Sequence, residues 1–257
     1  MKHLLSCFLF SCGFLLHAQY RYEYSLSTST NYGTFEDIVP VKNNGSLVAG
    51  YIHSGTLNGL VIRIDSTGAI LWQDTIAPNT ANTPRQIKHG PNGSFYVGGD
   101  FEATNGVDDL FCARYDSSGT RLWLNTYDSP GSFNPDEFYD MTTDANGNVY
   151  LAGHGRITAP YTVPMILKYD ANGNQLQHLV INNNFTSKFM SVEIQGNALY
   201  GAMFNFSSNP VTMSVGRYDL SLNEQWKVSS TLFPLNEPHV LTVNPFGHII
   251  VAGQLSN

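Results

Sequence analysis

Cysteine is scarce in this chain: there are 3 in 257 residues, and Cys7 and Cys12 both fall in the opening stretch. Cys112 is then left without a partner for an internal disulfide, so an apolar core and strand pairing have to hold the fold. Its neighbours Leu110, Phe111 and Ala113 mark an apolar strand, where a thiol serves as a small buried filler. Charge is thin as well, at 13% of residues. With 20 acids against 13 bases the formal charge is −7, which is the wrong balance for a nucleic-acid partner. Beyond residue 20 no segment keeps apolar residues at helical spacing, so helices are expected to be few. Missing too are the His pairs of zinc enzymes, the Gly-x-Ser-x-Gly elbow and the phosphate loop.

The chain opens with Lys2, an apolar run from Leu4 to Leu16, and Ala18 before Gln19. That order matches an export signal cleaved after Ala18, and the run is too short for the ~20 residues of a membrane span. Loss of Lys2 would take the formal charge from −7 to −8. The competing lipoprotein reading at Cys12 is weaker, because the apolar run continues past it.

The rest is organised by repetition. Asp65, Asp116, Asp170 and Asp219 are each followed seven residues later by Trp72, Trp123, Gln177 and Trp226. The intervals between these Asp residues are 51, 54 and 49 residues, a period typical of sheet-based repeats. Gly68, Gly119 and Gly173 complete an Asp-x-x-Gly turn in three copies, and in the fourth Asn223 is the expected left-handed substitute. A second hairpin is set by Asn44-Gly45, Asn92-Gly93, Asn146-Gly147 and Gly196-Asn197. Units of four strands are thus expected at 34–76, 83–127, 136–180 and 187–228, with a partial unit at 236–254. Tyr20 to Leu26 reads as an unpaired last-type strand that would join the partial unit. The expected fold is an all-β propeller of four-stranded antiparallel blades, about five in number, or a piece of a larger one.

The run Asp109-Leu110-Phe111-Cys112-Ala113-Arg114-Tyr115-Asp116-Ser117-Ser118-Gly119-Thr120-Arg121-Leu122-Trp123, with Asp144 to Gly153 after it, resembles the secreted bacterial β-propeller repeats of SBBP type. That resemblance implies the propeller fold over the whole mature chain and export, secreted or to the cell surface, and it assigns no activity. Ile64 to Trp72 also resembles the tryptophan-docking repeat of quinoprotein propellers, but the vicinal Cys pair of those enzymes is absent. The Trp is accordingly read as a residue that packs blade on blade.

Candidate sites follow from this geometry. Ligands bind propellers over the channel mouth, where first strands begin, and there Asp37, Arg85, Asp140 and His239 are placed one per blade. For metal, the acids Asp100, Glu102, Asp108 and Asp109 crowd one loop, a better candidate than the Asp-rich hairpin turns at 144–148 and 170–174. Arg63, Arg114, Lys168 and Arg217 precede each repeat Asp by two positions and are read as inter-blade ion pairs. The expectation is an exported, non-enzymatic, monomeric binding or scaffold module for protein or glycan, without cofactor. The alternative is a secreted hydrolase or lyase with its site at the channel mouth.

Overall fold

A computed structural model describes residues 32–255, apart from 43–44, 54, 78–80, 103–107, 130–134, 159–160, 182–185, 206–210 and 231–235. The expected export signal and the strand Tyr20 to Leu26 lie outside the described residues, so the closure of the fifth blade does too. The described residues form 18 strands and one 3-10 turn, Pro91–Gly93.

Four sheets have four antiparallel strands each, in sequential order. Blade 1 holds β1 (Tyr32–Pro40), β2 (Gly45–His53), β3 (Leu57–Asp65) and β4 (Ile70–Ile76). Blade 2 holds β5 (Asn82–His89), β6 (Phe95–Glu102), β7 (Asp108–Tyr115) and β8 (Arg121–Tyr127). Blade 3 holds β9 (Glu137–Thr143), β10 (Val149–Thr158), β11 (Tyr161–Tyr169) and β12 (Gln175–Val180). Blade 4 holds β13 (Ser187–Gln195), β14 (Ala198–Asn205), β15 (Thr212–Asp219) and β16 (Glu224–Ser230). β17 (Asn236–Val243) and β18 (Ile249–Leu255) form a two-stranded fifth sheet. The chain is a β-propeller, as the repeat period requires.

The cores lie between blades. In β6, Phe95 and Val97 pack toward blade 1 with Leu47 and Ile87, while Tyr96 packs toward blade 3 with Met141 and Leu151. Strand alternation therefore sends both faces into apolar surroundings, and the middle strands read as continuous apolar runs. Cys112 is one of these fillers, and burial pushes its thiol far above the ordinary range.

The repeat Asp is the hub of its turn. Asp116 Oδ1 accepts hydrogen bonds from Ser118 N at 2.8 Å and Thr120 N at 2.9 Å, and Asp65, Asp170 and Asp219 do the same. The hydroxyl of Ser118 adds a bond and, with these amides, holds the Asp116 carboxyl below the usual range. The carboxylates are thereby committed to the backbone, which is why the turns at 144–148 and 170–174 read as hairpins. In the fourth copy the left-handed residue is Leu222, at φ 62°, and not Asn223. Its side chain is buried in the core between blades 3 and 4, and that burial offsets the backbone strain.

The Trp position ties each blade to the next. Trp72 covers Gly119 so closely that a Cβ there would lie 2.3 Å from the ring. Trp123 Nε1 donates to Ala171 O at 3.1 Å, and Arg114 Nη1 donates to the same carbonyl at 2.6 Å. Gln177 replaces the indole with an amide and donates to Ser221 O at 2.8 Å, beside Lys168 Nζ on Leu220 O at 2.6 Å. The basic residues of blades 2 and 3 thus do reach the following blade, but they hold its turn carbonyls, whereas inter-blade ion pairs were expected. Arg217 folds back on Tyr200 OH at 3.2 Å within its own blade.

Candidate active site in the propeller channel

The first strands β1, β5, β9, β13 and β17 run side by side along the channel, and each carries a bulge. The register slips at Glu36, Arg85, Tyr139, Met190 and His239. A bulge re-aims the side chains around it, so one residue per blade is turned at this level. Glycine on the neighbouring strand makes room: a Cβ at Gly153 would sit 2.1 Å from Glu137 O.

The residue after each of the first four bulges clasps the next blade. Asp37 Oδ2 accepts from Ile87 N at 2.8 Å, Gln86 Oε1 from Met141 N at 2.9 Å, and Asp140 Oδ2 from Val192 N at 2.8 Å. Ser191 Oγ then accepts from Leu241 N at 3.0 Å. An oxygen of varying chemistry thus meets the same backbone N–H four times.

A cavity of about 320 Å³ opens among four of these strands. Gln86 and Lys88 from β5, Tyr139, Asp140 and Thr142 from β9, Ser191 and Glu193 from β13, and His239 from β17 supply its polar lining. Asp140 is held on every side: Oδ2 also takes Ser191 Oγ–H at 2.7 Å, and Oδ1 takes Met141 N–H at 2.8 Å with Lys88 Nζ at 3.9 Å. Glu193 Oε2 accepts from Val243 N at 3.0 Å.

Behind the cavity wall, Tyr139 OH donates to the Glu137 carboxylate and accepts from Lys188 Nζ. Lys188 Nζ stands 3.7 Å from Glu137 Oε2, and His154 Nδ1 stands 4.0 Å from it. Burial alone would raise the Glu137 carboxyl, but the Tyr139 bond and these two bases hold it below the ordinary range. Burial, with the Glu137 bond, pushes the Tyr139 phenol far up, so it stays protonated and able to donate.

Of the residues expected at the channel mouth, Asp140 and His239 line this cavity. Asp37 is engaged by Ile87, and Arg85 pairs with Asp100 at 2.9 Å and Glu36 at 3.7 Å; neither belongs to the lining. Of the acids expected as metal ligands, Asp100 is drawn off by Arg85 and by Phe138 N at 2.8 Å. Glu102 is exposed at the end of β6, and Asp108 is exposed at the start of β7. Asp109 is buried and faces Asp128 and Asp136. Burial and these carboxylates, with Asp108, push Asp109 up to about 6.

Lys88, Glu193 and Tyr139 escaped the sequence reading. Aligned by their bulges, the first strands put Val39, Lys88, Thr142, Glu193 and Thr242 at one repeat position. Charge that appears in only some copies is the mark that finds them.

No family model and no curated protein matches the chain. Similar solved structures include the WD40 domain of SCAP from fission yeast, 9% identical with a TM-score of 0.42 over 82% of this chain and 56% of that one. They also include the GH43_1 enzyme from Xanthomonas citri complexed with xylose, 10% identical with a TM-score of 0.40 over 86% of this chain and 80% of that one. RS223-Beta-xylosidase is 8% identical with a TM-score of 0.38, over 84% and 85%. The expectation of a non-enzymatic module is corrected here, because enzymes stand among the structures similar to this chain.

Proposed function

We propose that the protein is a hydrolase acting on glycans, with its site in the channel cavity. The carrying observation is that Asp140, Glu193, Lys88 and His239, from four different strands, line one cavity of about 320 Å³. That volume is at the small end of the range for ligand pockets and suits a short sugar unit. Glycosidic bond hydrolysis uses two carboxylates: one gives a proton to the leaving oxygen, and the other either activates the water that attacks the anomeric carbon or attacks that carbon itself before water releases the sugar. Asp140, fixed by two backbone N–H groups, a hydroxyl and Lys88, suits the second role, because donors on all sides hold its carboxylate in place. Glu193 has one oxygen engaged by Val243 and suits proton transfer. Gln86, whose carbonyl oxygen is engaged by Met141, offers its amide N–H groups to hydroxyls. The opening signal-like stretch and the SBBP-type repeat support export, which would put such an enzyme where polysaccharide is met.

A panel of nitrophenyl glycosides and soluble polysaccharides tests this reading. Turnover is expected on at least one substrate, and Glu193→Gln and Asp140→Asn, which keep an acceptor oxygen, should each lower kcat about 10²- to 10³-fold. Melting curves of both variants control for folding. Turnover that survives Glu193→Gln unchanged, or none across the panel, overturns the proposal.

A further inference from the structure

Away from the channel, three carboxylates meet at the junction of blades 2 and 3. Asp109 stands near the start of β7, Asp128 just beyond the end of β8, and Asp136 just before β9. Oxygens of the three lie within 4.8 Å of one another. Like charges so close repel, and such a group persists only if something offsets the repulsion.

The partners differ in a telling way. Asp136 is buried and anchored: Oδ2 takes Ser129 N–H and Oδ1 takes Ser129 Oγ–H, both at 2.6 Å. Its backbone N–H bonds to Asp108 O at 2.8 Å, so the two blades are tied at this point. Asp109, by contrast, is only 6% exposed, and among the described residues its carboxylate has no hydrogen-bond donor and no cation. Two neighbouring carboxylates and no donor leave it without an electrostatic offset among the described residues. It points at the other two acids. The wall behind is equally constrained, since a Cβ at Gly155 would come within 2.6 Å of Asp136 Oδ1 and 3.0 Å of Ser129 Oγ. Asp128 is exposed and leaves the group open to water.

We propose that Asp109, Asp128 and Asp136 bind a divalent cation, calcium by preference, that staples blade 2 to blade 3. Hard cations take carboxylate oxygens, and calcium accepts irregular sets of six to eight ligands completed by water, whereas magnesium demands near-octahedral placement. Three acids with an open side fit the former. The cation would supply the missing partner of Asp109 and replace repulsion by attraction across the junction. This site is separate from the channel residues, so it stands whether or not the protein is a glycan hydrolase.

The full chain, freed of metal with EGTA, is titrated with calcium and with magnesium by calorimetry, and with terbium by luminescence sensitised through Tyr127. Saturable calcium binding at a stoichiometry of one is expected, with Tm raised by about 5–10 °C at a hundredfold excess over Kd. Asp128→Asn and Asp109→Asn should each abolish binding. They carry a second signature, because removing one of the crowded charges should raise Tm in EGTA while removing the calcium response. Asp65→Asn, at a distant turn, should leave binding unchanged. Absence of saturable binding at 10 mM calcium, or binding undisturbed by both Asp109→Asn and Asp128→Asn, overturns the proposal; a metal-free variant no more stable than the parent overturns the claim of crowded charge.

Discussion

Blade 2 and blade 1 present the same residue at the same place and meet opposite surroundings. Ile87 follows the clasping residue of β5 and is fully buried against blade 1; Ile38 follows that of β1 and is 59% exposed. The Trp position tells the same story from the other side. Trp72 and Trp123 are packed on the turn of the following blade, whereas Trp226 is 37% exposed beside a fifth sheet that has no such turn among the described residues. The repeat therefore writes half an interface into each blade, and burial depends on whether a neighbour supplies the other half.

The comparison can be broken by mutation. Ile87→Ala should destabilise by about 2–4 kcal/mol in urea unfolding, and Ile38→Ala by no more than about 0.5 kcal/mol. Equal losses would mean that Ile38 is covered in solution. Next in size come two turn glycines. Gly119→Ala brings a methyl against Trp72 at a φ of 92°, while Gly247→Ala meets nothing within 4 Å at a φ of 81°. The first should cost about 3 kcal/mol and the second about 1 kcal/mol, both read from thermal unfolding. The smallest effect belongs to Gln177→Trp. As the indole N–H can take over the bond to Ser221 O, stability should stay within about 1 kcal/mol of the parent. A larger loss would show that the junction between blades 3 and 4 differs in kind from the two before it.

The fold was legible because its devices recur. Asp65, Asp116, Asp170 and Asp219 hold identical turns, and seven residues on stands the group that packs on the next blade. The site was legible only in part, since it consists of what does not recur. Asp140 and His239 were found by placing first strands around a channel. Glu193 and Lys88 carry no repeat signature, because the other copies hold Val39, Thr142 and Thr242 at that position, and Asp37 and Arg85 fall outside the cavity because they are drawn to partners, Ile87 and Asp100, that are fixed only in three dimensions. The meeting of Asp109 with Asp128 and Asp136 is likewise a matter of strand ends coming together. Leu222 shows the limit of turn rules, for its buried side chain outweighs the preference for Asn in a left-handed position.

The clasps give the array a direction. Asp37, Gln86, Asp140 and Ser191 each reach forward to an amide of the following blade, so blades 2, 3 and 4 each have a holding side and a held side. Blade 5 is held through Leu241 N, but where it should hold in turn it presents Val240, whose side chain accepts nothing. Duplication of an inner blade would carry hook and eye together and splice into the array, whereas duplication of the fifth would add a unit with nothing to fasten it.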